Sequence, residues 1–251
     1  MHKLIALWSH PRSMSTALER LMRERGDLTC LHEPFMYHYY LGEGRGAFPG
    51  FDADPTHPKE YPEIRDMLLA KAEEGPVFFK DMPYYVMPRI ADDAAFLKRI
   101  THTFLIRHPM AAILSYHKLD PNFSLHEVGL ETQWQLYDAV RSAGLPAVVL
   151  NAETVRADAR AAMAGFWDAL GLRWREEAFD WGLAPDDWSG VRAWHEAAST
   201  STGIESVDAE EMLRVEMAFE AAVKGGASQL QEYLDYHWPY YQKLSQAALT
   251  L

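Results

Sequence analysis

The chain has 251 residues, of which 48% are hydrophobic, so it can bury one large core with or without a helical appendage. Its formal net charge of −12 argues against binding to nucleic acid or to an anionic membrane. The single cysteine, Cys30, excludes an internal disulfide, and no apolar run is long enough for a signal peptide or a membrane span. These features predict a soluble, cytoplasmic protein in which any anion site is a local grouping of Arg and Lys.

Five short apolar runs alternate with amphipathic segments over the first two thirds of the chain. Strands are predicted at residues 4–8, 28–34, 76–82, 101–107 and 146–153. Helices are predicted after the first strand, at residues 62–74 and 131–142, around 163–170, and in the segments "AAFLKRI" and "HPMAAILSYHKL". Such alternation is typical of right-handed βαβ units. We expect an α/β fold of three layers, in which a central, mostly parallel sheet of about five strands is flanked by helices.

The last third of the chain does not continue the alternation of strands and helices. Residues 174–206 are irregular and rich in Trp, and residues 208–249 are mostly helical in pattern, with a break at Gly225 and Gly226. We therefore expect one domain over residues 1–251, with its core at about 1–172 and a helical C-terminal region at about 173–251.

The segment "SHPRSMSTALERLM" places one cation and three hydroxyls between the first strand and the first helix. Such a turn presents free backbone N–H groups and the positive end of the helix dipole, and both favour an anion. The loop has no glycine and carries Arg12 instead of Lys, which argues against the triphosphate loop of a kinase or ATPase. The alternative interpretation is that Ser13 only caps the helix.

A second segment, "FLIRHPMAAILSYHKL", repeats this combination at the end of the fourth strand. Arg107 ends the strand, and Ser115 lies about two turns into the next helix. Open α/β sheets bind ligands at the carboxyl ends of their strands. Alone, Arg107 is equally well explained as a surface ion-pair residue. Two such pairs at neighbouring strand ends indicate a ligand with two separated anionic groups.

Together, the two segments resemble the sulfotransferases that use 3′-phosphoadenosine 5′-phosphosulfate (PAPS). "PRSMSTAL" is similar to the 5′-phosphosulfate loop of that family, P-R-S-G-[ST]-T, and "IRHPMAAILSYHKL" is similar to its 3′-phosphate motif. The resemblance covers about residues 4–172. It implies that PAPS is the co-substrate, that Arg107 and Ser115 hold its 3′-phosphate, and that the 5′-phosphosulfate is held by Arg12, Ser13, Met14, Ser15 and Thr16.

The resemblance also implies catalytic roles. Lys80 in "FFKDM" matches a Lys near the transferring sulfuryl group, where it and Arg12 would stabilise the leaving phosphate. Many members carry K-T-H with His as the base, but here Met82 occupies that place and cannot take a proton. Other members use a Glu after the second strand, which matches Glu33 in "LHEPF". Glu33 is thus the expected base.

Other interpretations of this acidic segment remain open. His32 and Asp81 are the nearest alternative bases, and His10 is a more distant one. Glu33 is alternatively an ion-pair partner of Arg12 that only orders the loop.

Three further positions bear on the resemblance. Met14 replaces the glycine of the loop, and Gly tolerates a positive φ better than a residue with a Cβ. Asn151 in "LNAETV" stands where the family more often has Tyr. In "ASTSTGIES", Thr202 and Gly203 are candidate nucleotide contacts, with Arg192 as a nearby source of charge.

An aromatic stretch follows Glu33. Its side chains are predicted to wall a pocket for a small or medium-sized acceptor with a hydroxyl or amine, although they could equally pack the loop onto the core: Phe35, Tyr37, Tyr39 and Tyr40. PAPS chemistry needs no metal, and the 11 histidines form no ligand motif. The alternatives are a kinase-like nucleotide phosphotransferase and a non-catalytic PAP- or PAPS-binding module. Acceptor identity and oligomeric state do not follow from the sequence.

Overall fold

A parallel sheet organises the protein. The computed structural model describes residues 2–45, 51–182, 201–204, 206–208 and 210–250. Its five strands lie in the order β2-β3-β1-β4-β5, and all neighbouring strands are parallel. They are β1 (Leu4–Ser9), β2 (Thr29–His32), β3 (Val77–Asp81), β4 (Thr101–Ile106) and β5 (Ala147–Asn151). The predicted α/β fold is confirmed, and the strand ends lie within two residues of those predicted.

Helices connect the strands and extend beyond them. They are α1 (Ser15–Glu24), α2 (Tyr61–Glu74), α3 (Arg89–Asp92), α4 (Ala94–Arg99), α5 (Pro109–His117), α6 (Leu130–Ser142), α7 (Ala152–Ala157), α8 (Ala159–Ala169), α9 (Glu211–Lys224) and α10 (Gln229–Gln246). The short helices α3 and α7 are not evident in the sequence pattern. Gly225 and Gly226 separate α9 from α10 at the predicted break, and both helices pack on α5.

The sheet is covered on both faces, which gives the three predicted layers. Side chains alternate along β1, as they must in a strand, so successive residues enter different halves of the core. Ile5 and Leu7 contact α1 and α8 on one face, through Leu18, Leu21, Met163 and Phe166. On the other face, Leu4, Ala6 and Trp8 belong to the core with α2, α6 and α10, through Ile64, Leu68, Leu136 and Leu244.

Among the described residues, no helix is both long enough and apolar enough to cross a membrane.

One histidine of the core is held by hydrogen bonds on both ring nitrogens. The indole N–H of Trp8 donates to Nδ1 of His102 at 2.9 Å, and Nε2 of that ring lies 2.8 Å from the carbonyl oxygen of Leu97. Burial lowers the pKa of His102 to about 4. Because the ring in the unfolded chain titrates near 6.5, acid protonates the unfolded state first, so stability falls as the pH drops below that value.

We expect His102→Gln to reduce the loss of stability between pH 7 and pH 5. The amide can accept from Trp8 and donate to Leu97 but does not titrate, so the free energy of unfolding should fall by about 2 kcal/mol less than in the wild type. Denaturant unfolding at the two pH values measures the difference. Equal losses in both proteins would contradict the assignment.

Candidate active site

The turn after β1 lies at the centre of the sheet edge, between the ends of β3 and β4. Arg12 and Met14 have φ values of 61° and 72°, in the left-handed region. Met14 is the N-cap residue of α1, and no side chain caps that helix. The hydroxyl of Ser13 is buried and has no hydrogen-bond partner. Since an unsatisfied buried donor is costly, this turn suits an anion that would accept from it.

Met14 shows how the turn keeps its shape without glycine. The residue adopts the left-handed conformation that glycine provides at lower cost, and its side chain packs against the core cluster to which Leu18 and Leu21 belong. This packing helps to hold a backbone conformation that otherwise costs about 1–2 kcal/mol. The turn therefore has a glycine-like backbone although the sequence has Met.

We expect Met14→Gly to preserve nucleotide binding and Met14→Val to weaken it. Gly fits the left-handed backbone, whereas a β-branched side chain opposes it, so Met14→Val should lower stability by about 1–2 kcal/mol and Met14→Gly by less. Thermal denaturation and calorimetric titration with 3′-phosphoadenosine 5′-phosphate (PAP) check both effects. Met217→Val, on an exposed face of α9, is the matched control. Equal losses at Met14 and Met217 would contradict the backbone argument.

The two segments predicted to bind anions contact one another. Nε of Arg12 donates to Oγ of Ser115 at 3.1 Å, and Nη1 of Arg107 donates to the carbonyl oxygen of Arg12 at 3.0 Å. Burial lowers the pKa of both guanidinium groups, and the charge of Arg107 adds to the effect on Arg12. Two neighbouring, largely buried cations repel one another, so a bound anion would stabilise the arrangement.

His10 holds the backbone of Arg107 beside the turn after β1. Its Nε2 accepts the backbone N–H of Arg107 at 3.0 Å, and its Nδ1 lies 3.1 Å from the carbonyl oxygen of Pro11. Burial and the charge of Arg107 lower the pKa of His10 to about 3. A neutral ring with both nitrogens engaged by the backbone has no lone pair left for a substrate.

Glu33 and Lys80 form a buried ion pair at the ends of β2 and β3. The ammonium group of Lys80 contacts Oε1 of Glu33, and the hydroxyl of Tyr85 lies 3.4 Å from Oε2. Glu33 has a φ of 42°, and it, Arg12 and Met14 are the non-glycine residues with positive φ in the described part of the chain. Unfavourable backbone conformations concentrate at functional sites. Here all three lie at one edge of the sheet.

The other candidate bases have structural partners. Nδ1 of His32 lies 2.6 Å from Oε2 of Glu19, and its Nε2 lies 3.9 Å from Oε1 of Glu33. The Asp81 carboxylate accepts the backbone N–H groups of Phe35 at 2.8 Å and Met82 at 3.2 Å. Burial and the charge of Glu33 raise the pKa of Asp81. Asp81 thus holds the chain turn that follows β2.

Met82, which stands where the sequence resemblance would imply a histidine, is buried. Its sulfur lies 3.5 Å from the hydroxyl of Ser9, which donates to it, and its side chain is part of the core. It contributes packing beside the site.

The four predicted aromatic residues separate into two groups. Phe35 is fully buried, and its ring centroid lies 5.4 Å from that of Tyr61. Tyr37 stacks on His57 at 3.7 Å, and its hydroxyl accepts the backbone N–H of Asp54. Phe35 therefore packs the core, and Tyr37 packs the long loop.

Tyr39 and Tyr40 instead belong to a cluster of tyrosine rings near Glu33. Tyr39 lies 5.5 Å from Tyr84 and 5.2 Å from Tyr85, and Tyr40 lies 5.8 Å from Tyr85, between ring centroids. Tyr85 reaches Glu33, so this cluster is the aromatic surface next to the ion pair. Tyr84 and Tyr85 were not among the predicted site residues, although "PYY" is separated from β3 only by Met82 and lies at the same edge of the sheet as Glu33.

Gln133 is a third residue that the sequence did not reveal. This buried side chain of α6 donates to the carbonyl oxygens of Trp8 at 3.0 Å and Leu105 at 2.9 Å. It therefore links the ends of β1 and β4, from which the two anion-binding segments start. No motif marks it, because only the fold places it there.

The remaining predicted residues lie elsewhere. The side chain of Asn151 accepts the N–H of Glu153 at 2.8 Å, so it caps α7. Thr202 and Gly203 lie in a short described segment in which the hydroxyl of Ser201 donates to the carbonyl of Gly203. Their contact with a nucleotide stays a prediction, and Arg192 lies outside the described residues. Within the described ranges, no group of three His, Cys, Asp or Glu side chains could hold a metal ion.

Both cation-bearing segments lie at the carboxyl ends of parallel strands, which is where open α/β sheets bind ligands. The model of the sulfotransferase domain family matches residues 2–227, so the chain belongs to that family.

The curated relatives that this chain matches are named as aminotransferase-like proteins and not as sulfotransferases. The chain is 28% identical over 223 residues to branched-chain-amino-acid aminotransferase-like protein 2 of Arabidopsis thaliana, and 28% identical over 220 residues to protein 1 of the same name. Each match covers 81% of this chain but only 36% or 37% of the relative. The chain thus spans little more than a third of these relatives.

Solved structures similar to this chain include two sulfotransferase domains and one mouse sulfotransferase. The sulfotransferase domain of the Synechococcus PCC 7002 olefin synthase has a TM-score of 0.45 and 14% identity, and the match covers 88% of this chain and 94% of that chain. The sulfotransferase domain of the curacin biosynthetic pathway has a TM-score of 0.48 and 14% identity, with 88% of this chain and 98% of that chain covered. Mouse sulfotransferase SULT7A1 complexed with PAP has a TM-score of 0.47 and 11% identity, with 98% of this chain and 89% of that chain covered.

Proposed function

We propose that this protein is a PAPS-dependent sulfotransferase that transfers a sulfuryl group to a hydroxyl or amine of a small or medium-sized acceptor. The observation that carries the proposal is the contact between Arg12 and Ser115, since it unites the two segments that resemble the 5′-phosphosulfate and 3′-phosphate motifs. Membership of the sulfotransferase domain family supports it.

The donor set fits a ligand with two anionic ends. The unpartnered hydroxyl of Ser13 and the turn that contains Met14, Ser15 and Thr16 would take the 5′ end with Arg12. Arg107 and Ser115 would take the 3′-phosphate, and Thr202 and Gly203 are further candidate contacts. When bound, PAPS supplies an activated sulfuryl group.

Glu33 and Lys80 are the proposed reactive pair. The Glu33 carboxylate accepts the proton of the acceptor O–H or N–H, so that the acceptor atom becomes nucleophilic. The cations Lys80 and Arg12 stabilise negative charge on the leaving phosphate oxygen. Because Lys80 is fully buried and contacts Glu33, one ion pair places the base beside the cation that faces the developing charge.

The acceptor would lie against the tyrosine cluster of Tyr39, Tyr40, Tyr84 and Tyr85. Burial, together with the charges of Glu127 and Glu33, raises the pKa of Tyr40, so its hydroxyl stays protonated at neutral pH. Aromatic faces beside carboxylates favour an apolar or cationic acceptor over an anionic one.

Calorimetric titration with PAP and with ATP plus Mg²⁺ tests the nucleotide. We expect binding of PAP that does not depend on Mg²⁺. A preference for ATP that depends on Mg²⁺ would favour a kinase-like phosphotransferase and overturn the proposal. Transfer of label from [³⁵S]PAPS to a panel of hydroxyl and amine acceptors then separates an enzyme from a non-catalytic nucleotide-binding module.

A further inference from the structure

We propose that Tyr85 is a positioning residue for Glu33, whose carboxylate its hydroxyl holds in the orientation and the ionised state that a general base needs. This role rests on the proposed function of Glu33 as the base. Tyr85 belongs to none of the predicted motifs and lies in the short helical turn Pro83–Tyr85 that follows β3.

The two oxygens of the Glu33 carboxylate have different partners. Oε1 contacts the ammonium group of Lys80, and Oε2 accepts a hydrogen bond from the hydroxyl of Tyr85 at 3.4 Å. Lys80 is fully buried, and Glu33 and Tyr85 are only 5% and 4% exposed, so little water competes for either oxygen. A hydrogen bond in such surroundings is electrostatically stronger than one in water. The Tyr85 hydroxyl is therefore well placed to hold the second oxygen.

The backbone keeps the two residues together without help from the hydroxyl. The N–H of Glu33 donates to the carbonyl oxygen of Lys80 at 2.9 Å, and the N–H of Tyr85 donates to that of Met82 at 3.0 Å. The Asp81 carboxylate accepts backbone N–H groups from both segments, the one after β2 and the one after β3. Because these contacts use no hydroxyl, we expect Tyr85→Phe to fold.

Neighbouring rings fix the side chain of Tyr85 itself. Its ring centroid lies 4.7 Å from that of Tyr84, 5.2 Å from that of Tyr39 and 5.8 Å from that of Tyr40. Burial, the neighbouring Tyr84 and the charge of Glu33 raise the pKa of Tyr85 well above its usual range. The hydroxyl therefore stays protonated, so it donates to the carboxylate and does not replace it as the base.

A donor on Oε2 serves the reaction in two ways. It favours the ionised carboxylate, which is the form that accepts a proton, and it limits rotation of the group while a further lone pair stays available. The O–H or N–H bond of the acceptor then breaks and an O–H bond to Glu33 forms. The electron pair left on the acceptor atom bonds to sulfur, and the bond from sulfur to the leaving phosphate oxygen breaks.

Other titratable groups also face Glu33, and Tyr85→Phe leaves all of them in place. They are His32 from β2, Lys80 and Asp81 from β3, Tyr84 beside Tyr85, Tyr40 from the segment His38–Gly42, and Tyr116 from α5. A change in the pH dependence of this variant therefore reports the loss of the hydroxyl.

Carbon NMR of protein labelled with ¹³C at Cζ of tyrosine tests the contact in the full, unliganded chain. The Tyr85 signal is assigned by its loss in Tyr85→Phe. We expect it to shift in Glu33→Gln, because the hydroxyl then faces a neutral amide. A Tyr85 signal at the same position in the wild type and in Glu33→Gln would overturn the proposal. This result needs no turnover, so it stands apart from the proposed function.

Kinetics of Tyr85→Phe test the role, because this change removes the hydroxyl and keeps the ring. We expect kcat to fall about 3–30-fold, while PAP affinity and the KM of the acceptor stay within about twofold. The acid limb of kcat/KM should move to higher pH, since the ionised carboxylate loses a donor and protonates more readily. Initial rates with labelled PAPS over a range of pH and calorimetry with PAP measure these effects.

Tyr61→Phe is the matched control, since the hydroxyl of this buried tyrosine of α2 also contacts a carboxylate, Oδ2 of Asp93 at 3.5 Å. Its kcat and pH profile should equal those of the wild type. If the wild type is active, an unchanged kcat and acid limb in Tyr85→Phe would overturn the positioning role alone. A wild type that transfers no sulfuryl group to any acceptor would contradict the proposed function, and this role with it.

Discussion

Glu33→Gln should reduce turnover about 10²–10⁴-fold while PAP affinity changes little. The amide keeps the size of the side chain but cannot accept the acceptor proton, and general-base catalysis contributes a factor of this size. Because the ammonium group of Lys80 then faces a neutral amide, the variant should also be less stable than the wild type. Initial rates with labelled PAPS and calorimetry with PAP measure the two effects separately.

Glu74→Gln provides the matched control, since Glu74 is exposed at the end of α2, where the chain approaches the opposite edge of the sheet. Its turnover should equal that of the wild type. Near-normal turnover in Glu33→Gln would remove Glu33 from the role of base and direct attention to His32. A parallel loss of PAP affinity would instead indicate that Glu33 mainly orders the nucleotide site.

Arg12→Ala should weaken PAP binding about 30–1000-fold. The guanidinium lies in the turn after β1 and also donates to Ser115, so its removal takes a charge from one segment and a donor from the other. Hydrogen bonds between charged groups in partly buried sites contribute about 2–4 kcal/mol, which corresponds to this range. Turnover at saturating PAPS should fall as well, because Arg12 faces the leaving group in the proposed mechanism.

The contact with Ser115 allows a sharper form of this experiment. In a double-mutant cycle, Arg12→Ala and Ser115→Ala should not be additive, because each variant already removes the bond between them. Arg141→Ala, at an exposed position near the C-terminal end of α6, is the control and should leave PAP affinity unchanged. Additive effects of Arg12→Ala and Ser115→Ala on PAP affinity would show that the two segments contact PAP independently of one another.

The layout of the fold was predictable because the signals are local. Each strand is a short apolar run with a turn signal at its end, and residues such as Gly225 and Gly226 interrupt helical periodicity directly. The sequence was less informative about α7, since its start depends on the side chain of Asn151, which caps two N–H groups of that helix. The extent of the single domain over residues 1–251 stays a prediction.

The site was only partly predictable, for a related reason. The anion-binding turn and the Arg107 segment lie at strand ends that topology must bring together, so their proximity follows from a parallel sheet. The partners of Glu33 do not, because the contacts with Lys80 and Tyr85 join residues 47 and 52 positions apart. Glu19 was equally hidden, since a charged residue in an amphipathic helix is normally exposed to solvent.

Gln133 has a consequence for how this protein can diverge. Its amide bonds to the ends of both β1 and β4, through backbone carbonyls that exist whatever the side chains are. The tyrosines beside Glu33 come from other segments, after β2 and after β3. Mutations that alter the tyrosine cluster therefore leave this link between β1 and β4 intact. Under the proposed function, selection can change the acceptor without rebuilding the nucleotide end, so the two halves of the site are separately evolvable.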